Sequence, residues 1–312
     1  MSALQAWLDV PGVTIVLIGA LVGIAASLLG AFLVLRRESM LSDAISHSVL
    51  IGIVLAYLLT GALDSPFHVV GAALAGLLTV WLTDLLVRSR RVKSDAAIGL
   101  VFPALFALAV LLINVYARDV HLDTDAVLLG EIGFAWLDVV SVGPLEMARS
   151  LVTMLVITLV NLAFVVFLYK ELKLATFDAM LATALGYRPA LIGYALLGLV
   201  SVTAVGAFDA VGAILFVAFV IVPPTAAYLV TDRLWRMLVL GCVVAVGSSV
   251  GGYALAVAFD VSIGGAMASL TGAFLLLALV VGKHGLVARA LRRRAPRPPP
   301  GVVQGRNLGG EA

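Results

Sequence analysis

Asp43 and His47 stand four residues apart in the stretch SDAISHSVL, which opens a long apolar run continuing IGIVLAYLL. On a helix that spacing puts both side chains on one face, with roughly 6 Å between Cβ atoms. A carboxylate and a neutral imidazole so placed offer an oxygen and a nitrogen to one ion, a donor set suited to Mn2+, Fe2+ or Zn2+. The plainer reading is an intrahelical Asp–His hydrogen bond that neutralises two awkward groups. Two ligands do not complete a site, so a third is expected, and Asp260 in AFDVSIGG is the candidate. Spacing alone favours a helix cap or a solvated loop acid for Asp260.

Other polar groups have simpler readings. Asp209 in GAFDAVGA precedes a helix start and is expected to cap it. Asp84 lies near the Arg88–Arg91 cluster and is expected to pair with it. Asp119, His121, Asp123 and Asp125 in RDVHLDTDAV form an acidic loop, solvated or attracting cations. His68, His121 and His284 fall at span ends or in loops. The single cysteine, Cys242, excludes an intramolecular disulfide and reads as packing.

The elements that position these residues are set by composition. The chain of 312 residues is 62% hydrophobic and 12% charged, with a mean hydropathy of +1.15. Soluble domains carry about 25% charged residues, so there is too little polar surface here for a water-soluble globule. A spanning helix needs roughly 20 apolar residues. Nine such runs are present: 13–35, 41–63, 69–87, 96–115, 151–169, 190–208, 210–230, 234–259 and 265–282. The expected fold is an all-α polytopic bundle of nine spans, or eight if one short run is re-entrant. Residues 1–12 lack Lys and Arg, so no signal peptide is expected.

All but two of the 20 Lys and Arg cluster in alternate connections and after the last span. The positive-inside rule then places the N-terminus outside and the C-terminus in the cytoplasm. Residues 1–292 form one transmembrane domain, and the basic, Pro/Gly-rich tail 293–312 reads as disordered near anionic headgroups. This topology puts Asp43 about two helical turns (~5.4 Å each) from Arg37, on the inner half of any pathway. GxxxG spacings at Gly19/Gly23 and Gly247/Gly251 permit close helix contacts. Pro223-Pro224 interrupts the seventh run and frees backbone groups that must be satisfied within the protein.

Chemistry is excluded by what is missing. There is no GxxxxGK[ST], HExxH, CxxC or GxSxG, and GKHG at 282–285 is not a phosphate loop. The chain is therefore not expected to be an enzyme, and no nucleic-acid partner is expected. Transport is what the intramembrane polar groups point to, since ionisable residues at membrane depth generally mark a pathway or a pair. Between two runs, TFDAMLATALG starts with a possible cap and ends at Gly186, followed by Pro189. It reads as a short helix outside the bilayer, rich in small residues, fitted either to a partner's cleft or to headgroups.

Four stretches together resemble a known family: LRRESMLSDAISHSVLIGIVLAYLL, SDAAIGLVFPALFAL, YKELKLATFDAMLATALG and VGAILFVAFVIVPPTAAYLVTDRL. In order and spacing, over residues 13–292, they are similar to the permease subunits of metal-ion ABC importers for manganese, zinc or iron. The ending DVSIGGAMASLTGAFLLLALVVGKHGLVARALRR resembles the manganese/iron branch. The resemblance implies a multi-pass protein of the bacterial cytoplasmic membrane. Implied partners are a second permease copy or paralogue, cytoplasmic ATPase subunits that bind the ATP, and an extracytoplasmic metal-binding protein. It carries the metal role to Asp43 and His47 and, by position, to Asp260. The coupling helix falls at about 175–186, with Phe177, Asp178, Ala179, Ala182, Leu185 and Gly186 as its contact residues. Alternatives are a permease for a chelated metal, such as a siderophore or cobalamin, or a standalone secondary carrier.

Overall fold

The computed structural model describes residues 10–61, 67–116, 132–142 and 145–283. The acidic loop with Asp119, His121, Asp123 and Asp125, His284 and the tail 293–312 lie outside the described residues, as does the Asp209 side chain.

The spans are α1 (Pro11–Arg36), α2 (Ser39–Thr60), α3 (Phe67–Arg88), α4 (Ser94–Tyr116), α5 (Arg149–Phe167), α8 (Pro189–Val230), α9 (Leu234–Phe259) and α10 (Ile263–Val281). Between α5 and α8 lie two short helices, α6 (Tyr169–Phe177) and α7 (Ala179–Ala184). Because α8 contains two spans, Pro189–Phe208 and Ala210–Val230, nine described stretches are long and apolar enough to cross a membrane, as expected. Before α5 a small antiparallel hairpin pairs β1 (Val139–Val142) with β2 (Leu145–Ala148). The sequence reading has no strands, since four-residue strands leave almost no periodic signal. Arg149 holds the hairpin by a 3.2 Å ion pair with Asp138.

Local chemistry explains the ends. Pro11 sits in the first turn of α1, where its missing N–H is no loss. Arg37 adopts φ 60°, and the N–H groups of Arg37 and Glu38 donate to the carbonyls of Val34 and Leu33. This closes α1 in a Schellman turn and starts α2 two residues later. Arg36 and Glu38 pair across the turn at 3.0 Å.

α1 is the most enclosed span, wrapped by α5, α8 and α9. α2 turns away from α1 and packs on α3 and α4 instead. The two groups, α1–α5–α9–α10 and α2–α3–α4, are joined chiefly by α8, which touches helices of both. One end of the bundle carries Arg36, Arg88, Lys170, Arg233 and Lys283; it is called the basic end below.

The boundary inside α8 falls at Gly212 (φ 75°, ψ 168°), three residues past the expected cap at Asp209. That backbone is open essentially to glycine alone. Pro223 and Pro224 do not end the helix. Pro224 has no N–H to give the carbonyl of Val220, and that carbonyl faces Gly30 of α1 so closely that a Cβ at residue 30 would collide with it. Gly52 of α2 and Gly71 of α3 meet backbone to backbone in the same manner. Of the GxxxG pairs, Gly23 approaches Ala245, with a Cβ at Gly23 reaching 2.8 Å, whereas Gly247 has slack.

Gly30→Ala should cost about 1–3 kcal/mol by overpacking. Gly99, with no atom within 4 Å of its absent Cβ, should accept Ala with no loss. Thermal unfolding of the purified variants in detergent measures both.

Candidate functional site

The first three turns of α2 bury every side chain from Leu41 to Leu50 except two, Asp43 and His47. These share the half-open face, with side-chain exposures of 36% and 33%. Asp43 Oδ1 and His47 Nε2 stand 3.6 Å apart. That is longer than a hydrogen bond but within ion-pair distance, so the two side chains stand as an i,i+4 pair. It is close to the separation of two donors on one ion: ligands ~2.1 Å from a tetrahedral metal lie roughly 3.4 Å from each other.

The surrounding hydroxyls are spent elsewhere. Ser42 donates to Ser39 O (2.6 Å), Ser46 to Ser42 O (2.8 Å) and Ser48 to Ile45 O (3.2 Å). α4 supplies the aromatic wall. Phe102 stacks on the imidazole with centroids 5.6 Å apart, and Phe106 meets it edge-on at 6.2 Å. Sequence reasoning passed over both rings, although their i, i+4 spacing in SDAAIGLVFPALFAL puts them on one helix face. An apolar wall lowers the local dielectric and leaves the pair's open side as the direction of approach.

Depth follows from the register of α2 on α3. Gly52 meets Gly71, a Cβ at Gly76 would touch Ile45, and Thr79 donates to Ser48 Oγ at 2.6 Å. Read antiparallel, these contacts set His47 level with about Leu78, near the middle of α3. Asp43 is then level with about Leu82, roughly 9 Å short of Arg88. The pair lies in the half of the bundle nearer the basic end, from near mid-depth outward.

Asp260 is elsewhere. It ends α9 in the left-handed region (φ 53°, ψ 50°), its N–H bonded to Ala256 O, and it is exposed. The alternation of spans puts that end opposite the basic one. Among the described residues no three His, Cys, Asp or Glu side chains gather into a cage. Asp84 pairs with Arg88 as expected, at 2.6 Å, and also accepts from Tyr194 Oη at 3.1 Å, tying α3 to α8.

The short-helix region differs in detail from its expectation. It is two helices broken at Asp178, and the cap is Asp178, whose side chain accepts from Leu181 N at 2.9 Å. Gly186 (φ 87°) closes α7: Gly186 N bonds Thr183 O and Tyr187 N bonds Ala182 O, both at 3.0 Å. Ala182 is fully buried against the chain itself. What α7 and its flanks present is large and apolar: Phe177 (62% exposed), Met180 (86%) and Leu185 (62%). Asp178 and Ala179 are exposed beside them.

The nine-span chain as a whole matches known proteins. The profile of the ABC 3 transport family matches residues 13–282. The chain belongs to that family. Family members with curated names are close in sequence. The zinc transport system membrane protein TroD of Treponema pallidum is 53% identical over 282 residues, covering 90% of this chain and 77% of TroD. The manganese transport system membrane protein MntD of Bacillus subtilis is 47% identical over 280 residues, covering 89% and 95%. Among solved structures, PsaBC from Streptococcus pneumoniae in complex with Fab superposes with a TM-score of 0.74 at 28% identity, covering 90% and 94%. The ABC 3 membership and the nine apolar spans make this a multi-pass inner-membrane transport subunit, in line with the resemblance seen in its motifs.

Thr79→Val removes the hydroxyl pair that registers α2 on α3. It should lower stability by about 0.6 kcal/mol, and by no more than about 1.7, in reversible unfolding of the purified permease.

Proposed function

We propose that this protein is the permease subunit of an ATP-driven importer of divalent transition-metal ions, Mn2+, Zn2+ or Fe2+. The observation that carries the reading is the Asp43–His47 pair: two metal-competent donors, 3.6 Å apart, on the half-open face of an otherwise buried helical stretch. The names of TroD and MntD, zinc and manganese transport membrane proteins, support the substrate class. The basic end is the cytoplasmic one, by the positive-inside rule. ATP is bound and hydrolysed by partner ATPase subunits, and the permease itself carries no catalytic residue. A second permease copy and an extracytoplasmic metal-binding protein complete the assembly.

In this mechanism the ion enters from the outer face, where Asp260 stands as an entry ligand. It is then passed to Asp43 and His47 near mid-depth. One chain supplies two donors there, and the second copy or water fills the remaining coordination. The ionised carboxylate and neutral imidazole bind the cation, and protonation of either competes with it, so uptake falls in acid. ATP-driven closure of the ATPases pushes on α7 and its flanks, and α6 leans on α1, α5 and α8. The push is thereby delivered to the helices that hold the two halves of the bundle together.

Asp43→Ala and His47→Ala, expressed with the whole operon at normal levels, should each lower uptake of the physiological metal tenfold or more, since losses in metal-site support run 10–100-fold. Unchanged uptake of Mn2+, Zn2+ and Fe2+ would sink the ligand assignment. Met180→Asp, at the most exposed apolar side chain of α7, should release the ATPase subunit on co-purification while leaving the permease folded. Undiminished co-purification, or uptake in vesicles lacking the ATPase, counts against the docking role.

A further inference from the structure

Between α5 and α9 the chain leaves an apolar groove of about 730 Å³, floored by Leu28 of α1. Leu162 and Val166 form one wall, Val239 and Val243 the other. Tyr169 and Trp235 stand at its mouth, at the basic end. Along α9 the lining runs from Trp235 to Val246, about 16 Å, and stops at the middle of that helix. The hydrocarbon core of a bilayer is ~30 Å thick, so the groove is one leaflet deep. A helix of a second copy or a partner would ask for a trough through the whole thickness. An acyl chain asks for one leaflet.

The mouth is charged to match a headgroup. Arg236 lays its guanidinium over the Trp235 ring, 5.3 Å from the centroid. Lys170 follows Tyr169, Lys173 lies a turn further on, and Arg233 precedes α9; all four cations are exposed. The acids alongside are Glu171 and Asp232, and Asp232 is paired with Lys283 at 3.4 Å. Trp and Tyr sit at headgroup level in membrane proteins, and basic side chains there attract anionic lipid.

We propose that this groove binds one anionic phospholipid from the leaflet at the basic end. Its acyl chain lies between α5 and α9, and its phosphate is held by Arg236 and Lys170. The site is separate from the Asp43–His47 face and does not rest on the metal reading.

The test uses the full permease–ATPase complex in vesicles of phosphatidylcholine and phosphatidylglycerol, extracted mildly and weighed by native mass spectrometry. Wild type should retain about one phosphatidylglycerol per permease chain. Val243→Trp fills the groove and should lower retention of any phospholipid at least tenfold. Arg236→Gln with Lys170→Gln touches no core contact and should keep a bound lipid while losing the preference for phosphatidylglycerol on the order of tenfold. Equal retention of the two lipids by wild type, or retention and preference unchanged in both variants, overturns the proposal. So does disulfide capture of a second permease copy through Cys242, a thiol that lines the groove, because protein would then stand where the lipid is placed.

Discussion

Lipid tails offer helices no hydrophobic reward for meeting one another, so this bundle depends on how closely its backbones can approach. The contact between Gly30 and the carbonyl of Val220 shows the constraint at its sharpest. Pro224 deprives that carbonyl of its helical donor, and in hydrocarbon an unsatisfied carbonyl is costly. Glycine at residue 30 lets α1 come near that oxygen, an approach that a β-carbon would forbid. Through this contact the second half of α8 is seated on the central helix. α8 in turn joins the α1 group to the α2–α3–α4 group.

The same constraint governs the polar interior. Asn161 of α5, fully buried, donates to Thr203 Oγ1 of α8 at 2.8 Å and reaches the Ala25 carbonyl of α1 at 3.5 Å. Thr158 donates to Met154 O at 2.6 Å and to Leu21 O at 3.1 Å. Most hydroxyls near Asp43 and His47 are likewise committed to backbone, or, for Thr79, to backbone and Ser48 together. Between Leu41 and Leu50, Asp43 and His47 are the polar groups of α2 that turn to an open face.

The outward elements divide the labour by chemistry. The basic end gathers cations and holds α6 and α7. The opposite end carries the hairpin and Asp260. α7 is too short to be stable alone; its Asp178 cap and Gly186 closure hold it as a preformed apolar knob.

Composition alone decided that the chain spans a membrane, because 12% charge cannot coat a soluble globule of this size. Run lengths decided the nine spans, and Asp43/His47 stood out because polar residues are rare in such runs. The Gly186 stop and the Asp84–Arg88 pair were equally legible, being local in sequence. What stayed hidden involved partners far apart in the chain. His47 meets Phe102 and Phe106 across 55 or more residues, and no periodicity within α2 announces that wall. The kink at Gly212 turned on a φ/ψ that glycine adopts freely. Only packing showed that Ala182 is buried while Met180 of the same short helix is exposed. The depth of the metal-competent pair was fixed by the α2–α3 register, a tertiary fact: sequence orders residues along a helix, and only the neighbouring helix gives the helix a height in the membrane.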